Sequence, residues 1–300
     1  MSRSLFLVLL LLSLIWAGSY SFIKVLVQDF GPWTIVFLRS ALGLVVITTV
    51  MIVMKKPFQF KNMPWISVGI MALINTCIPW AIIGFCEMRL DSSMASILNA
   101  TTPLWSLILG VTFWGAVTHR LQWIGMVTAI IGLVVLLSRN LTSMDSFDSL
   151  GFIGMIAASF FYGLGSQLSK RLLNTLSTYQ VTFGTLFFSM LGSGSIAFSM
   201  ETIPYSQLIV PLNMSVLVGL GIFGSGFAYM LFYWIVQKGG PTIATMVTYL
   251  LPVFSFVWGY TLLGEKLHWS MIVGLVLILT GVFLAGRKKG IKPVEKATAA

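Results

Sequence analysis

Charge is what this 300-residue chain has least of. Charged residues make up 9% of it, against 57% hydrophobic, where a soluble domain carries about 25% charged residues. A chain this poor in charge cannot solvate its own surface in water, so lipid is its expected solvent. Acids are the rarest: eight Asp and Glu stand against 18 Lys and Arg, and none falls near the middle of an apolar run. Proton-coupled carriers often use an intramembrane carboxylate, and a lipophilic cation needs a counter-charge. With every acid expected at a loop or helix end and in water, transport without a proton gradient is the reading, and a neutral, zwitterionic or aromatic solute is favoured. Two histidines and two cysteines offer little for a metal site. No H-E-x-x-H or G-x-S-x-G motif occurs, so neither a metal nor another cofactor is expected. Cys77 and Cys86 stand nine residues apart in one apolar run. On a helix that is ~13 Å of rise, too far for a disulfide, which predicts free, buried thiols. The apolar runs also lack the period-two alternation of a membrane β-barrel.

What is present is long and apolar. The mean hydropathy is +0.96, and ten runs long enough for membrane helices read as 5–27, 33–54, 64–86, 92–115, 121–138, 149–170, 178–199, 212–237, 241–263 and 270–286. They predict an all-α polytopic membrane protein. The net charge of +10 is a topology signal, and no nucleic-acid partner is expected. With the N-terminus inside, one face receives Arg3, Lys55, Lys56, Lys61, Arg120, Lys170, Arg171, Lys238 and the basic tail. The other receives Lys24, Arg89, Arg139 and Lys266 with seven of the acids: Asp29, Glu87, Asp91, Asp145, Asp148, Glu201 and Glu265. Lysine and arginine excess marks the cytoplasmic side, which puts both termini in the cytoplasm. Arg3, an apolar run and Ala17-Gly18-Ser19 together have the form of a cleavable leader, but its removal would unbalance the repeat described next, so retention is expected.

Displaced by 149 positions, residues 91–139 align with 240–288 without a gap. The identities include Ala95/Ala244, Pro103/Pro252, Ser106/Ser255, Gly110/Gly259, Gly115/Gly264, His119/His268, Gly125/Gly274 and Gly132/Gly281. Matched Pro and Gly carry information that matched Leu would not, because they fix kinks and close helix contacts. A displacement of 146 pairs Trp16 with Tyr162, Lys24 with Lys170 and Phe37 with Phe183 in the earlier segments, a weaker correspondence. Five crossings per copy is an odd number, so the second copy must face the other way. The reading is ten transmembrane helices in two inverted five-helix repeats, residues 1–140 and 141–287, followed by a basic cytoplasmic tail, 288–300. Inverted repeats are a common plan of secondary transporters, with the pathway between halves near the bilayer midplane.

Trp16-Ala17-Gly18-Ser19 followed by Lys24, Arg39 early in the second segment, and Pro252 with Leu263-Gly264-Glu265-Lys266-Leu267, Gly274 and Gly281 together resemble the signature of EamA-type carriers of the drug/metabolite transporter superfamily. In the first half Ala116 stands where the second has Glu265, a departure from that pattern. The resemblance implies a multi-pass carrier of the bacterial inner membrane, often an exporter of amino acids or other small metabolites. Its partners would be a small-molecule solute and the lipid bilayer, as a monomer or homodimer.

Polar residues in a membrane helix face the bundle interior or water, and paired, Pro-interrupted segments point to a carrier's site. Pro79, Pro103 and Pro252 are the expected helix breaks. The substrate site is expected at Trp16, Tyr20, Asn75, Trp80, Asn99, Tyr162, Gln167 and Tyr249. For isolated Ser and Thr, hydrogen bonding between helices is the commoner use, and Trp33, Trp65, Trp123 and Trp269 sit at helix ends as interface anchors. The four glycines Gly219, Gly221, Gly224 and Gly226 read as close packing. Arg39 is expected to reach outward or pair with Glu87 or Asp91. The competing class is a polytopic membrane enzyme acting on lipid-linked substrates, which would need titratable or metal-binding groups clustered at one membrane face; the two histidines fall on opposite faces.

Overall fold

A computed structural model of the chain describes residues 2–142, 148–263 and 269–285. Asp145, Gly264, Glu265, Lys266, His268 and the basic tail lie outside the described residues. Without water to bond exposed peptide groups, an apolar chain satisfies its backbone as helix. No strand occurs among the described residues.

The helices follow the apolar runs. α1 is Arg3–Leu26, started by the Ser2 hydroxyl accepting from the Leu5 N–H. α2 is Pro32–Val53, opened by a proline in its first turn, where a missing N–H costs nothing. α3 (Trp65–Ala72) runs through a π-helical turn, Leu73–Cys77, into α4 (Ile78–Glu87). α5 (Ser92–Asn99) and α6 (Thr102–Trp114) are split at Ala100 and Thr101. α7 (Arg120–Thr142), α8 (Ser149–Leu172) and α9 (Thr178–Met200) follow, then the single turn α10 (Tyr205–Leu208). α11 (Pro211–Val218) passes through a π-helical stretch, Gly219–Phe227, into α12 (Ala228–Gly239). α13 (Pro241–Thr245), α14 (Val247–Leu263) and α15 (Trp269–Ala285) close the described chain.

Among the described residues, seven stretches are long and apolar enough to cross a bilayer: Arg3–Leu26, Pro32–Val53, Trp65–Glu87, Met94–Trp114, Ser149–Leu172, Thr178–Met200 and Pro211–Gly239. Pro241–Ser255 and Ile272–Ala285 are shorter apolar helices. The polarity is arranged for lipid: Leu7, Val45, Ile52, Ile66 and Phe198 point outward, while Ser13, Thr34, Ser40, Thr185, Ser189 and Ser193 are buried. Both cysteines are free and buried.

Polar loop residues gather at two ends. At one, the Glu201 carboxylate after α9 caps α2, accepting from the Trp33 and Thr34 N–H groups and the Thr34 hydroxyl at 2.7–3.0 Å. Asn213 donates to Asp29 at 2.9 Å, and Arg89 pairs with Asp148 at 3.1 Å. Asp148 also caps α8; the Gly151 N–H, helped by Arg89, holds its carboxyl below the usual range. At the other end, Gln180 donates to the Phe58 carbonyl at 3.1 Å and Lys56 lies over the Tyr179 ring.

Two antiparallel contacts between distant segments dominate. α2 and α9 meet through Phe37 on Gly194, Ser40 on Ser189 (hydroxyls 3.0 Å apart) and Gly43 on Leu186. α7 and α15 meet backbone to backbone. A Cβ on Gly125 would strike Gly281 and Ala285, one on Gly132 would strike Gly274 and Ile278, and one on Gly281 would strike Gly125 and Ala129. Such atoms cannot rotate away. Gly281→Ala is therefore expected to destabilise by roughly 1–3 kcal/mol, as overpacking does, despite the better helix propensity of alanine. Gly69→Ala, whose Cβ would meet only the Phe188 ring at 3.5 Å, is expected to be neutral or stabilising. Melting temperatures in detergent separate the two.

Candidate functional site

The site begins with prolines and π turns. Pro79 has no N–H to give the Asn75 carbonyl four residues earlier, and the Tyr229 hydroxyl of α12 donates to that oxygen at 3.1 Å. Pro103 likewise cannot serve the Asn99 carbonyl. The Thr102 hydroxyl does so at 2.6 Å, while Ser159 of α8 lies 3.2 Å from the Leu98 carbonyl and 3.3 Å from the Asn99 side-chain oxygen. In the second π stretch the Gly224 carbonyl accepts from the Trp16 indole N–H at 3.0 Å. Each repair pulls a polar or aromatic side chain of one helix onto the interrupted backbone of another.

Between the repaired breaks lies a partly open cavity, with about 560 Å³ of empty space when the solvent at its mouth is included. α1 contributes Trp16, Ser19, Tyr20 and Ile23, and α2 contributes Arg39. Asn75 comes from the first π turn, Trp80 and Ile83 from α4, Asn99 from α5, Thr102 from α6 and Tyr162 from α8. α12 adds Tyr229 and Phe232, and Thr245, Val247, Thr248 and Leu251 complete the wall. The rings form one cluster: Trp16 is 5.6 Å from Tyr229 and 5.5 Å from Phe232, and Trp80 stands edge-on to Tyr229 at 5.3 Å. Below it, Asn75 donates to the Tyr233 hydroxyl at 3.1 Å, itself 2.9 Å from the Thr185 hydroxyl.

Of the eight residues expected at a substrate site, Trp16, Tyr20, Asn75, Trp80, Asn99 and Tyr162 line this cavity. Gln167 and Tyr249 do not. Gln167 donates to the Ser106 carbonyl at 2.6 Å, tying α8 to α6. Five residues beyond Tyr162 it is turned about 140° around the helix. Tyr249 is fully buried, its hydroxyl without a hydrogen-bond partner among the described residues, one residue off the face that carries Thr245, Thr248 and Leu251. Pro79 and Pro103 stand in the first turns of α4 and α6, just after interruptions. Pro252 is inside α14, and the chain breaks earlier, at Met246.

Two charged residues depart from expectation. Arg39 neither reaches outward nor pairs with an acid. It is 3% exposed, with its guanidinium carbon 3.7 Å from the Trp80 ring centroid and Nε donating to the Ser225 hydroxyl at 3.0 Å. Glu87 does end a helix, but water does not reach it: it is 0% exposed, and neither carboxylate oxygen has a hydrogen-bond partner among the described residues. Lys24 passes it by, donating to the backbone carbonyls of Glu87 and Leu90 at 2.7 and 2.8 Å. The expectation that every acid sits in water therefore fails at Glu87, and with it the argument from composition against proton coupling. The apolar wall residues Ile23, Ile83, Val247, Leu251 and Phe232 gave no signal in sequence, since they resemble any membrane-helix residue. Tyr229 is a phenol within an apolar run, and only its residue type sets it apart in the sequence.

The sequence model of the EamA-like transporter family matches residues 3–138 and again 149–287. An uncharacterized transporter of Archaeoglobus fulgidus is 24% identical over 96% of this chain and 99% of its own length. The uncharacterized inner membrane transporter YedA of Escherichia coli K12 is 24% identical over 97% and 95%. A probable amino-acid metabolite efflux pump of the same strain is 23% identical over 95% of each. A solved crystal structure shares the fold with a TM-score of 0.78, at 17% identity over 95% of this chain and 97% of that one.

Removing an unpartnered buried hydroxyl without changing shape is neutral or stabilising. Tyr249→Phe is accordingly expected to leave solute movement unchanged and the melting temperature equal or higher. A loss of activity in that variant would put Tyr249 in contact with solute.

Proposed function

The chain belongs to the EamA-like transporter family, and from that premise we propose that it is a secondary transporter, acting as an exporter, of small neutral, zwitterionic or aromatic metabolites such as amino acids. It lies in the membrane as a multi-pass protein, and the family and relatives point to transport rather than catalysis. The observation that carries the reading is the cavity of aromatic and amide side chains at the helix interruptions. Indole and phenol rings suit an aromatic or aliphatic side chain, and the amides of Asn75 and Asn99 with the hydroxyls of Thr102 and Thr248 suit polar groups. Trp16, Tyr20, Asn75, Trp80, Asn99 and Tyr162 are the proposed solute contacts.

The proposed mechanism is alternating access between two inverted five-helix halves, residues 1–140 and 141–287, giving ten crossings with both termini cytoplasmic. Four observations support it. The family model matches twice in succession. The two π segments begin at Leu73 and Gly219, the same 146-residue displacement that pairs Trp16 with Tyr162. Gly125 meets Gly281 while Gly132 meets Gly274, the reciprocal pattern of a two-fold contact between residues that the 149-residue displacement makes equivalent. Ser40 faces Ser189 while Gly43 faces Leu186, the same reciprocal pattern at the 146-residue displacement of the earlier segments.

Purified protein in proteoliposomes, screened with amino acids, nucleosides, sugars and amines, tests the reading. Movement of amino acids is expected, and Trp80→Ala or Asn99→Ala is expected to slow it about tenfold, the equivalent of 1.4 kcal/mol, while leaving the fold intact. Wild-type rates in both variants would put the pocket elsewhere. Reporter fusions after Lys61, Arg120 and Lys170 are expected to report cytoplasm, and one near Asp145 the outside. The reverse at any of the four breaks the inverted plan.

A further inference from the structure

The cavity contains a buried cation with no anion opposite it. Arg39 lines the cavity wall and is 3% exposed. Among the described residues no carboxylate lies within 4 Å of it, the one ion pair being Arg89 with Asp148. A guanidinium has five N–H donors and does not lose its proton. Here Nε is bonded to Ser225, and Nη2 has only a long 3.5 Å approach to the Gly224 carbonyl. Trp80 covers one face of the ion, a cation–π contact that offsets part of the desolvation cost without using any donor. A buried charge left unpaired is expensive, so a protein that keeps one beside a solvent-accessible cavity is completed by what enters the cavity.

The surroundings say which sign and how much. None of the cavity-lining residues is Asp or Glu. Lys24 turns its ammonium to the backbone carbonyls of Glu87 and Leu90 and does not line the cavity, which leaves Arg39 as the one charged side chain among the described residues of its wall. A planar guanidinium with free donors fits a carboxylate, two N–H groups to two oxygens. One net charge suits a monoanion better than a phosphate dianion.

We propose that Arg39 is the receptor for the carboxylate of the transported solute, held in the plane of the guanidinium against Trp80, with the rest of the solute among the rings of Trp16, Tyr229 and Phe232. This rests on the transporter reading and narrows it to carboxylate-bearing metabolites. Any ammonium group of a zwitterion is left to the ring faces and the Asn99 side-chain oxygen. Ser225 acts through Arg39 and is a positioning residue: its hydroxyl accepts from Nε while donating to the Leu220 carbonyl at 3.1 Å, which fixes the fork relative to the second π stretch.

The test uses matched probes on the full-length protein in proteoliposomes and in detergent thermal shift: L-phenylalanine, 3-phenylpropionate, L-phenylalaninamide and 2-phenylethylamine, with glucose 6-phosphate as the phosphate arm. Phenylalanine and phenylpropionate are expected to bind and the amide and amine to bind roughly tenfold or more weakly, since each of the latter forgoes the charge-assisted hydrogen bonds of a carboxylate to the guanidinium. Arg39→Gln is expected to abolish that preference and Arg39→Lys to keep part of it. Should Arg39→Gln not fold, the carboxylate-over-amide preference of the wild type decides alone. Equal binding of acid, amide and amine, preference for the phosphate, or an unaltered preference in Arg39→Gln overturns the proposal. If a wider set of sugars, nucleosides and amines moves while no carboxylate does, the Arg39 proposal falls and the transporter reading stands. If nothing moves at all, both fall.

Discussion

Every peptide carbonyl in an apolar medium needs a donor, and in this chain the prolines and π turns leave several that their own helices cannot supply. The cavity is the consequence. Tyr229 answers for Pro79, Thr102 for Pro103, and Trp16 for the Gly224 carbonyl of the second π stretch. Because each repair is made by a side chain, those side chains are fixed in position by backbone chemistry, not by packing alone. Lining the cavity and mending the helices are one arrangement seen from two sides.

This coupling bears on motion. A helix that is interrupted and mended by its neighbour is weaker along its own axis than one bonded throughout. The mended elements, α4, α6 and α12, surround the cavity, whereas α7 and α15 lie against each other with uninterrupted backbone contact. The structure thus divides into a stiff pair and a set of jointed helices around the pocket. Arg39 belongs to the jointed set through Ser225 and Trp80, which stand on different interrupted helices.

Much of this was legible in the sequence, and the reason is residue type. Proline and glycine are scarce enough in meaning that Pro79 and Pro103, and the matched spacing of Gly125 and Gly274, marked where backbone would bend or touch, whereas at Pro252 the helix runs on and the break comes earlier, at Met246. Asn75, Trp80 and Asn99 stood out as polar or amphipathic groups deep in apolar runs. What was not legible depended on angle and depth. Gln167 carries the same signal as Asn99 but faces α6, and Tyr249 differs from Thr248 by one residue of rotation. Arg39 sits only about six residues into its helix, a depth from which a long side chain ordinarily reaches water; only tertiary contacts turn it inward. Glu87 ends its helix as expected, yet neighbouring segments cover it. The π turn at Leu73–Cys77 has no marker in its own residues, while the glycines of the second one read equally well as packing.

The glycine contact between α7 and α15 has an evolutionary side. Where two side chains interlock, enlargement of one can be answered by reduction of the other, and the pair drifts together. Gly125 and Gly281, or Gly132 and Gly274, meet through backbone atoms, and glycine has nothing left to shed. No second-site change at these positions can rescue a first. The seam therefore admits no compensated divergence between the two segments that form it, and whatever history separates them must be written in other residues.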